Sequence, residues 1–290
     1  MFRWLAGRGA TQRQVERQLA MITDELWSQT LSGHVFLRGL SPLEDQSLRL
    51  RSAWLLASKR FGAVQGMTLT EEIMLSISVQ AALPILKLDT VLYERWTEII
   101  LYPGGFVIPY HETDENGVVH EYLQEASGEA WEGGPVILSW EDARSGTAHN
   151  ANVVIHEFAH KLDMHANSEA DGMPSLSAHP HLSTKHWREV LKSSFTEFTT
   201  ALSETEGAIP AHVDPETDEA APWFDLLPLD PYAATDTGEF FAVSTEAFFV
   251  DPVRLERGLP CWYDLLAQYY RQDPLTRLAG VKENQRATWR

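Results

Sequence analysis

Five residues constrain this chain more than any others: His156-Glu157-Phe158-Ala159-His160. Positions i and i+4 of an α-helix differ by about 40° around the axis, so both imidazoles can reach one metal ion from a single helix. Glu157 then stands beside them, placed to take a proton from a water held there. This H-E-x-x-H arrangement is that of zinc peptidases, and it requires a helix with one face seated on a core and the other open to a cleft. The surrounding residues meet the requirement. Ile155, Phe158, Ala159 and Leu162 recur at spacings of three and four, while His156, His160 and Asp163 cluster on the other side. Asn150 or Asn152 is positioned to cap the helix start.

The rest of the composition narrows what such a site can be. A single cysteine, Cys261, excludes an intrachain disulfide and a thiolate cage, so any zinc must be held by histidine and carboxylate. With 41 Asp+Glu against 23 Lys+Arg, the formal charge of -18 argues against direct nucleic-acid binding. No Lys or Arg occurs between Lys192 and Arg254. That stretch reads first as a solvated acidic surface and second as a negative field around a cation site. No run approaches the ~18 apolar residues of a membrane span, and the N-terminus lacks a signal-peptide core. The chain is expected to be soluble and cytoplasmic, with no membrane partner.

Patterning along the chain predicts a helical extension over residues 1–34, one compact unit over 35–280 and a polar tail over 281–290. Residues 11–31 carry Val15, Leu19, Ile22 and Leu26 at helical spacing. Ser41-Pro42-Leu43-Glu44 is a strong helix start, predicting a helix to about Phe61, and Thr70 opens another that lasts until Pro84. Three strand-like runs follow, Glu98–Tyr102, Val118–Gln124 and Gly134–Trp140, and predict a small mixed or antiparallel sheet just before the metal helix. Glu141 to Ala148 reads as a turn, 165–183 as a loop, and Trp187 to about Leu202 as helix. Residues 203–231 read as a long acidic connection of the kind that forms lids. Helices are expected again over Gly238–Val250 and Leu259–Tyr270.

Two histidines leave a catalytic zinc site one protein ligand short. The extended H-E-x-x-H-x-x-G-x-x-H pattern fails, because Asp163 and Ala166 occupy its glycine and third-histidine positions, and His165 is one residue short. Asp163 is one candidate, as a ligand, as a hydrogen-bond partner of an imidazole, or as a plain exposed carboxylate. Glu239 is the other. It begins a strongly apolar helix, where a glutamate calls for a cation or serves a helix cap with Asp236. Glu246 shares its face seven residues on and could support the site from behind.

The chain resembles the Mlc titration factor family of bacterial zinc metallopeptidases. The resemblance runs in order through Leu40–Glu44, Glu98–Pro103, Gly134–Trp140, Val154–Asp163, Asp230–Ala234, Glu239–Val243, Ser244–Phe249 and Tyr269–Leu275, roughly residues 35 to 280. It implies an α+β, zincin-like fold similar to the catalytic domain of anthrax lethal factor, with a small mixed sheet, an active-site helix and an N-terminal helical layer. It further implies Zn2+ held by His156, His160 and Glu239, in the H-E-x-x-H-plus-glutamate manner of gluzincins. Glu157 would be the general base acting on a zinc-activated water, and Tyr232, seven residues before Glu239, would assist catalysis. Asp163 and Glu246 would then stand behind the ligands. The implied activity is peptide-bond hydrolysis, aminopeptidase action included, on a peptide or protein substrate. The alternative the family implies is an interaction protein that binds and titrates a transcription repressor such as Mlc, with weak or conditional peptidase activity.

Overall fold

Helix starts along the chain follow side-chain chemistry closely. The computed structural model describes residues 10–113, 119–145, 151–215 and 217–287; Val118 and the cap candidate Asn150 lie outside the described residues. Thr11 and Gln14 form a capping box that opens α1 (Gln12–Met21). The single helix expected over 11–31 is in fact two. Ile22 leaves helical geometry, and the Thr23 hydroxyl accepts from Leu26 N–H to start α2 (Asp24–Ser32), whose first-turn Asp24 and Glu25 suit the positive end of the helix dipole. The Ser41–Glu44 capping box opens α3 (Pro42–Ser58), and α1 packs against it. α3 stops short of Phe61 because Arg60–Ala63 form a strand, β1, beside β2 (Glu98–Tyr102). β1 is short and half exposed, so it carries little apolar signal of its own. Thr70 caps α4 (Glu71–Ala82), which is buried along most of its length.

The sheet is mixed, as expected. β3 (Phe106–Thr113) and β4 (Val119–Ala126) make a separate antiparallel hairpin. β5 (Gly128–Ala130) and β6 (Val136–Ser139) complete a four-stranded sheet in the order β1-β2-β6-β5. β1–β2 and β2–β6 are parallel, and β5 runs antiparallel to β6 at the edge. The turn expected after Trp140 begins instead as a short helix, α5 (Trp140–Ser145).

The C-terminal half is helical: α6 (Val153–Asn167), α7 (Thr184–Ala208), α8 (Ala221–Phe224), α9 (Thr237–Val250), α10 (Pro252–Gly258), α11 (Pro260–Tyr270) and α12 (Pro274–Ala287). α7 continues past Leu202, which shortens the long connection expected over 203–231. The remainder is anchored by buried Val213, Ala220, Leu227 and Leu229, so it packs on the body where a free lid was expected. α12 likewise carries helix into the segment expected as a tail. Trp187, Phe240, Phe241, Trp262 and Tyr269 form an aromatic cluster between α7, α9 and α11. Each such ring contributes about 1.5–3 kcal/mol by burial, and their packing locks α9 against its neighbours. Val15, Ile22 and Trp27 of the N-terminal helices join the same core. The chain is thus mostly helical with a small mixed sheet, and no helix among the described residues is long and apolar enough to cross a membrane.

Candidate metal centre

α6 begins where Asn152 accepts a hydrogen bond from Ile155 N–H, and it buries Ile155, Phe158, Ala159 and Leu162 against the core. Phe158 packs edge-on against Tyr93 and Trp96, which fixes the rotation of the helix. His156 and His160 therefore project together from the opposite face. α9 begins on Asp236, whose carboxylate accepts from Gly238 and Glu239 N–H, so the capping role weighed for Asp236 is real. Glu239 is left free of that duty and points at the two imidazoles.

The three donor atoms converge. Glu239 Oε2 lies 3.1 Å from His156 Nε2 and 3.4 Å from His160 Nε2, and the two Nε2 atoms are 3.1 Å apart. Ligands held tetrahedrally at 2.0–2.1 Å from one zinc ion stand about 3.3–3.4 Å from each other. Among the described residues Glu239 Oε2 is buried and forms no hydrogen bond despite its two close neighbours. A buried carboxylate oxygen 3.1 and 3.4 Å from two imidazole nitrogens is what a shared cation satisfies, and a His/His/Glu donor set suits a divalent ion. The residues fit the group.

The electrostatics agree. Burial opposes protonation of His156, but Glu239 and then Glu246 outweigh it and raise its pKa well above the ordinary value. Burial also opposes the charge on Glu239, yet His156 and His160 hold its carboxyl well below the usual carboxylate range. Positive charge is therefore favoured at this point and negative charge on Glu239 is maintained. Glu157 differs: burial raises its pKa, with His156 and His160 opposing, and its Oε2 has no hydrogen-bond partner among the described residues.

Glu157 lies under β5. A Cβ built on Gly128 would come within 2.4 Å of Glu157 Oε1 and 2.6 Å of Val153, so only glycine admits this approach of edge strand to helix. Tyr232 stands on a 3-10 turn (Pro231–Ala234) capped by Asp230, with its ring 6.2 Å from that of His156. Burial and the nearby Glu239 and Glu157 carboxylates push the Tyr232 hydroxyl pKa well up, so it stays protonated. A cavity of about 840 Å3 opens beside His156 and Tyr232, its wall bearing Glu206, Asp225 and Asp230.

The two residues expected behind the ligands occupy different positions. Glu246 Oε1 accepts from His156 Nδ1–H at 2.5 Å, which fixes the ring and leaves Nε2 facing Glu239. Asp163 is fully buried, contrary to the exposed alternative, and accepts from Gly172 N–H at 2.7 Å. Its Oδ1 and the Nδ1 of His160 each lack a hydrogen-bond partner among the described residues. Burial raises the Asp163 pKa to about 7. Sequence reasoning missed Gly128 and Gln80. A glycine opening a strand hints at close backbone approach, whereas nothing local marks Gln80.

The sequence has known relatives. The sequence profile of the glucose-regulated metallo-peptidase M90 family matches residues 8–271, which includes α6, α9 and all three donors. A Mlc titration factor A from Serratia proteamaculans is 34% identical over 247 residues, covering 84% of this chain and 87% of the relative. The protein of the same name from Pectobacterium atrosepticum is 32% identical over 263 residues, 90% of this chain and 91% of its own. That from Klebsiella pneumoniae is 33% identical over 259 residues, 89% of each.

Proposed function

The chain belongs to the glucose-regulated metallo-peptidase M90 family, and on that premise we propose that it is a regulatory zinc protein of zincin-like fold with two roles. It binds and titrates a Mlc-like transcription repressor, and its metal centre hydrolyses peptide bonds. The name its relatives share favours the first role. The second is carried by one observation: His156, His160 and Glu239 converge beside Glu157, a buried carboxylate with an unused oxygen.

His156, His160 and Glu239 would hold the ion, and zinc is the metal this donor set suits. When bound, it supplies Lewis acidity that polarises a peptide carbonyl and acidifies a water. Glu157, with its pKa raised by burial, is suited to take a proton and pass it to the leaving amine. Tyr232 keeps its proton and can donate it as a hydrogen bond to a developing oxyanion. Among the described residues β5 is the edge strand of the sheet, against Glu157, so an extended peptide pairing with it would lay its carbonyl near that carboxylate. Glu246 holds the His156 ring, and Asp163 lies behind His160 as a buried support.

Glu157→Gln separates the roles. The variant should keep zinc while turnover of a peptide panel, aminopeptidase substrates included, falls by about 10²–10⁴. If the variant still displaces the repressor from operator DNA, titration is stoichiometric; if only the wild type does, it is proteolytic. A wild-type chain that neither retains zinc nor displaces the repressor overturns the reading.

A further inference from the structure

We propose that Gln80, on a helix that contributes no ligand, is a positioning residue for the metal centre and acts through Asn152. The proposal rests on His156 being a metal ligand. Asn152 is the hub. Its Oδ1 accepts from Ile155 N–H at 2.9 Å and its main-chain oxygen accepts from His156 N–H at 3.0 Å, which sets the first turn of α6. Its own N–H donates to Glu246 Oε2 at 2.8 Å, and the other oxygen of Glu246 receives His156 Nδ1–H. One residue thus places both the helix that carries His156 and the carboxylate that orients its ring.

Gln80 fixes that hub. Asn152 Nδ2 donates to Gln80 Oε1 at 2.8 Å, and Gln80 Nε2 donates to the main-chain oxygens of Ser76 and Ala143, both at 3.2 Å. Neither amide can be turned over. The Asn152 oxygen is required at Ile155 N–H, so its nitrogen must face Gln80, and the Gln80 nitrogen must then face two carbonyls. Gln80, Asn152 and Glu246 are all buried, where an unmade hydrogen bond is costly and alternative partners are scarce. The chain continues outward, since Ser76 Oγ bonds His34 Nε2 at 3.0 Å, just past α2. The N-terminal layer is thereby linked to His156 by successive hydrogen bonds through Ser76, Gln80, Asn152 and Glu246.

The test measures metal binding by the full chain, independently of turnover. Metal is stripped with a chelator, and Zn2+ or Co2+ affinity is read by competition and by the visible Co2+ spectrum. Gln80→Met keeps the volume but removes both amide functions. Asn152→Asp keeps the cap oxygen and removes the donor to Gln80. Each should weaken Zn2+ binding by about tenfold or more, the range typical of groups that hold a ligand in place, and shift the Co2+ bands. Tyr263→Phe, which loses a partly buried bond to Asp273 away from this chain of contacts, serves as control and should bind as the wild type does. If Gln80→Met fails to fold, Asn152→Asp decides. Wild-type affinity and spectrum in the variants overturn the proposal and leave the metal reading intact. A wild type that binds no metal overturns both.

Discussion

α6 and α9 reach the metal centre as long helices sunk in the core, whereas Tyr232 reaches it on a single 3-10 turn, about half exposed. The three donor residues are held from behind by buried contacts: Phe158 on Tyr93 and Trp96, Phe241 on Trp187, Glu246 on His156 and Asn152. The segment carrying Tyr232 is acidic, contains short helical pieces, and exposes Leu226 almost completely. The difference separates two tasks. Ion binding needs donors fixed to within about 0.5 Å, which only packed elements provide. Meeting a peptide or a protein partner needs accessible groups on loops supported by that scaffold.

Breaking the buried side should cost most. Glu239→Ala removes a donor outright, and Zn2+ affinity should fall by more than the ~100-fold upper range seen for supporting groups; retention of zinc by the variant would mean that the carboxylate is dispensable. Breaking the exposed side should leave metal alone. Tyr232→Phe should bind zinc as the wild type does, while kcat falls by about 10²–10³, as for loss of one oxyanion donor; equal loss of metal and rate would erase the distinction. Gly128→Ala tests the contact between edge strand and helix. The added methyl meets Glu157 and Val153, so stability should fall by about 1–3 kcal/mol and turnover with it, measured by urea unfolding and peptide hydrolysis.

A smaller effect concerns two lysines that share the Trp96 ring. Lys59 and Lys161 lie on the Trp96 ring, Lys59 held by the Tyr93 and Trp96 carbonyls and Lys161 by those of Trp131 and Gly134. Burial lowers the Lys59 pKa from 10.5 to about 7 and that of Lys161 to about 8. Between the folded and unfolded values the unfolded chain binds more protons, so each lysine makes stability rise with pH from near neutrality toward 10. In Lys59→Met that rise, read by chemical unfolding of the metal-free protein at stepped pH, should be reduced and not abolished. The smallest effect is expected at the rim, where Leu226→Ser should change stability by less than about 0.5 kcal/mol and leave metal affinity unaltered.

Much of this was legible because the signals were local. Helix starts at Ser41 and Thr70 depend on side chains reaching their own backbone, and they came out at the expected residues. The break at Ile22–Thr23 is also local, yet helical spacing of apolar residues runs straight across it and hides it. β1 was not legible, since its identity comes from pairing with β2 across a whole intervening helix. The length of α7 was obscured by its charged last turns, which lack an apolar face.

The sequence alone determined that two imidazoles share one helix face with a glutamate beside them, because helical periodicity converts spacing into direction. It also determined that no cage of several thiolates could form, since Cys261 is the single cysteine. Only the tertiary structure decided that Glu239 closes the triangle while Asp236 caps α9, that Gly128 lies on Glu157, and that Gln80 braces Asn152. Those contacts join residues tens of positions apart. Their chemistry is ordinary for each residue type, and it acquires a direction only when packing of the aromatic core brings α4, α6, α9 and β5 to one place.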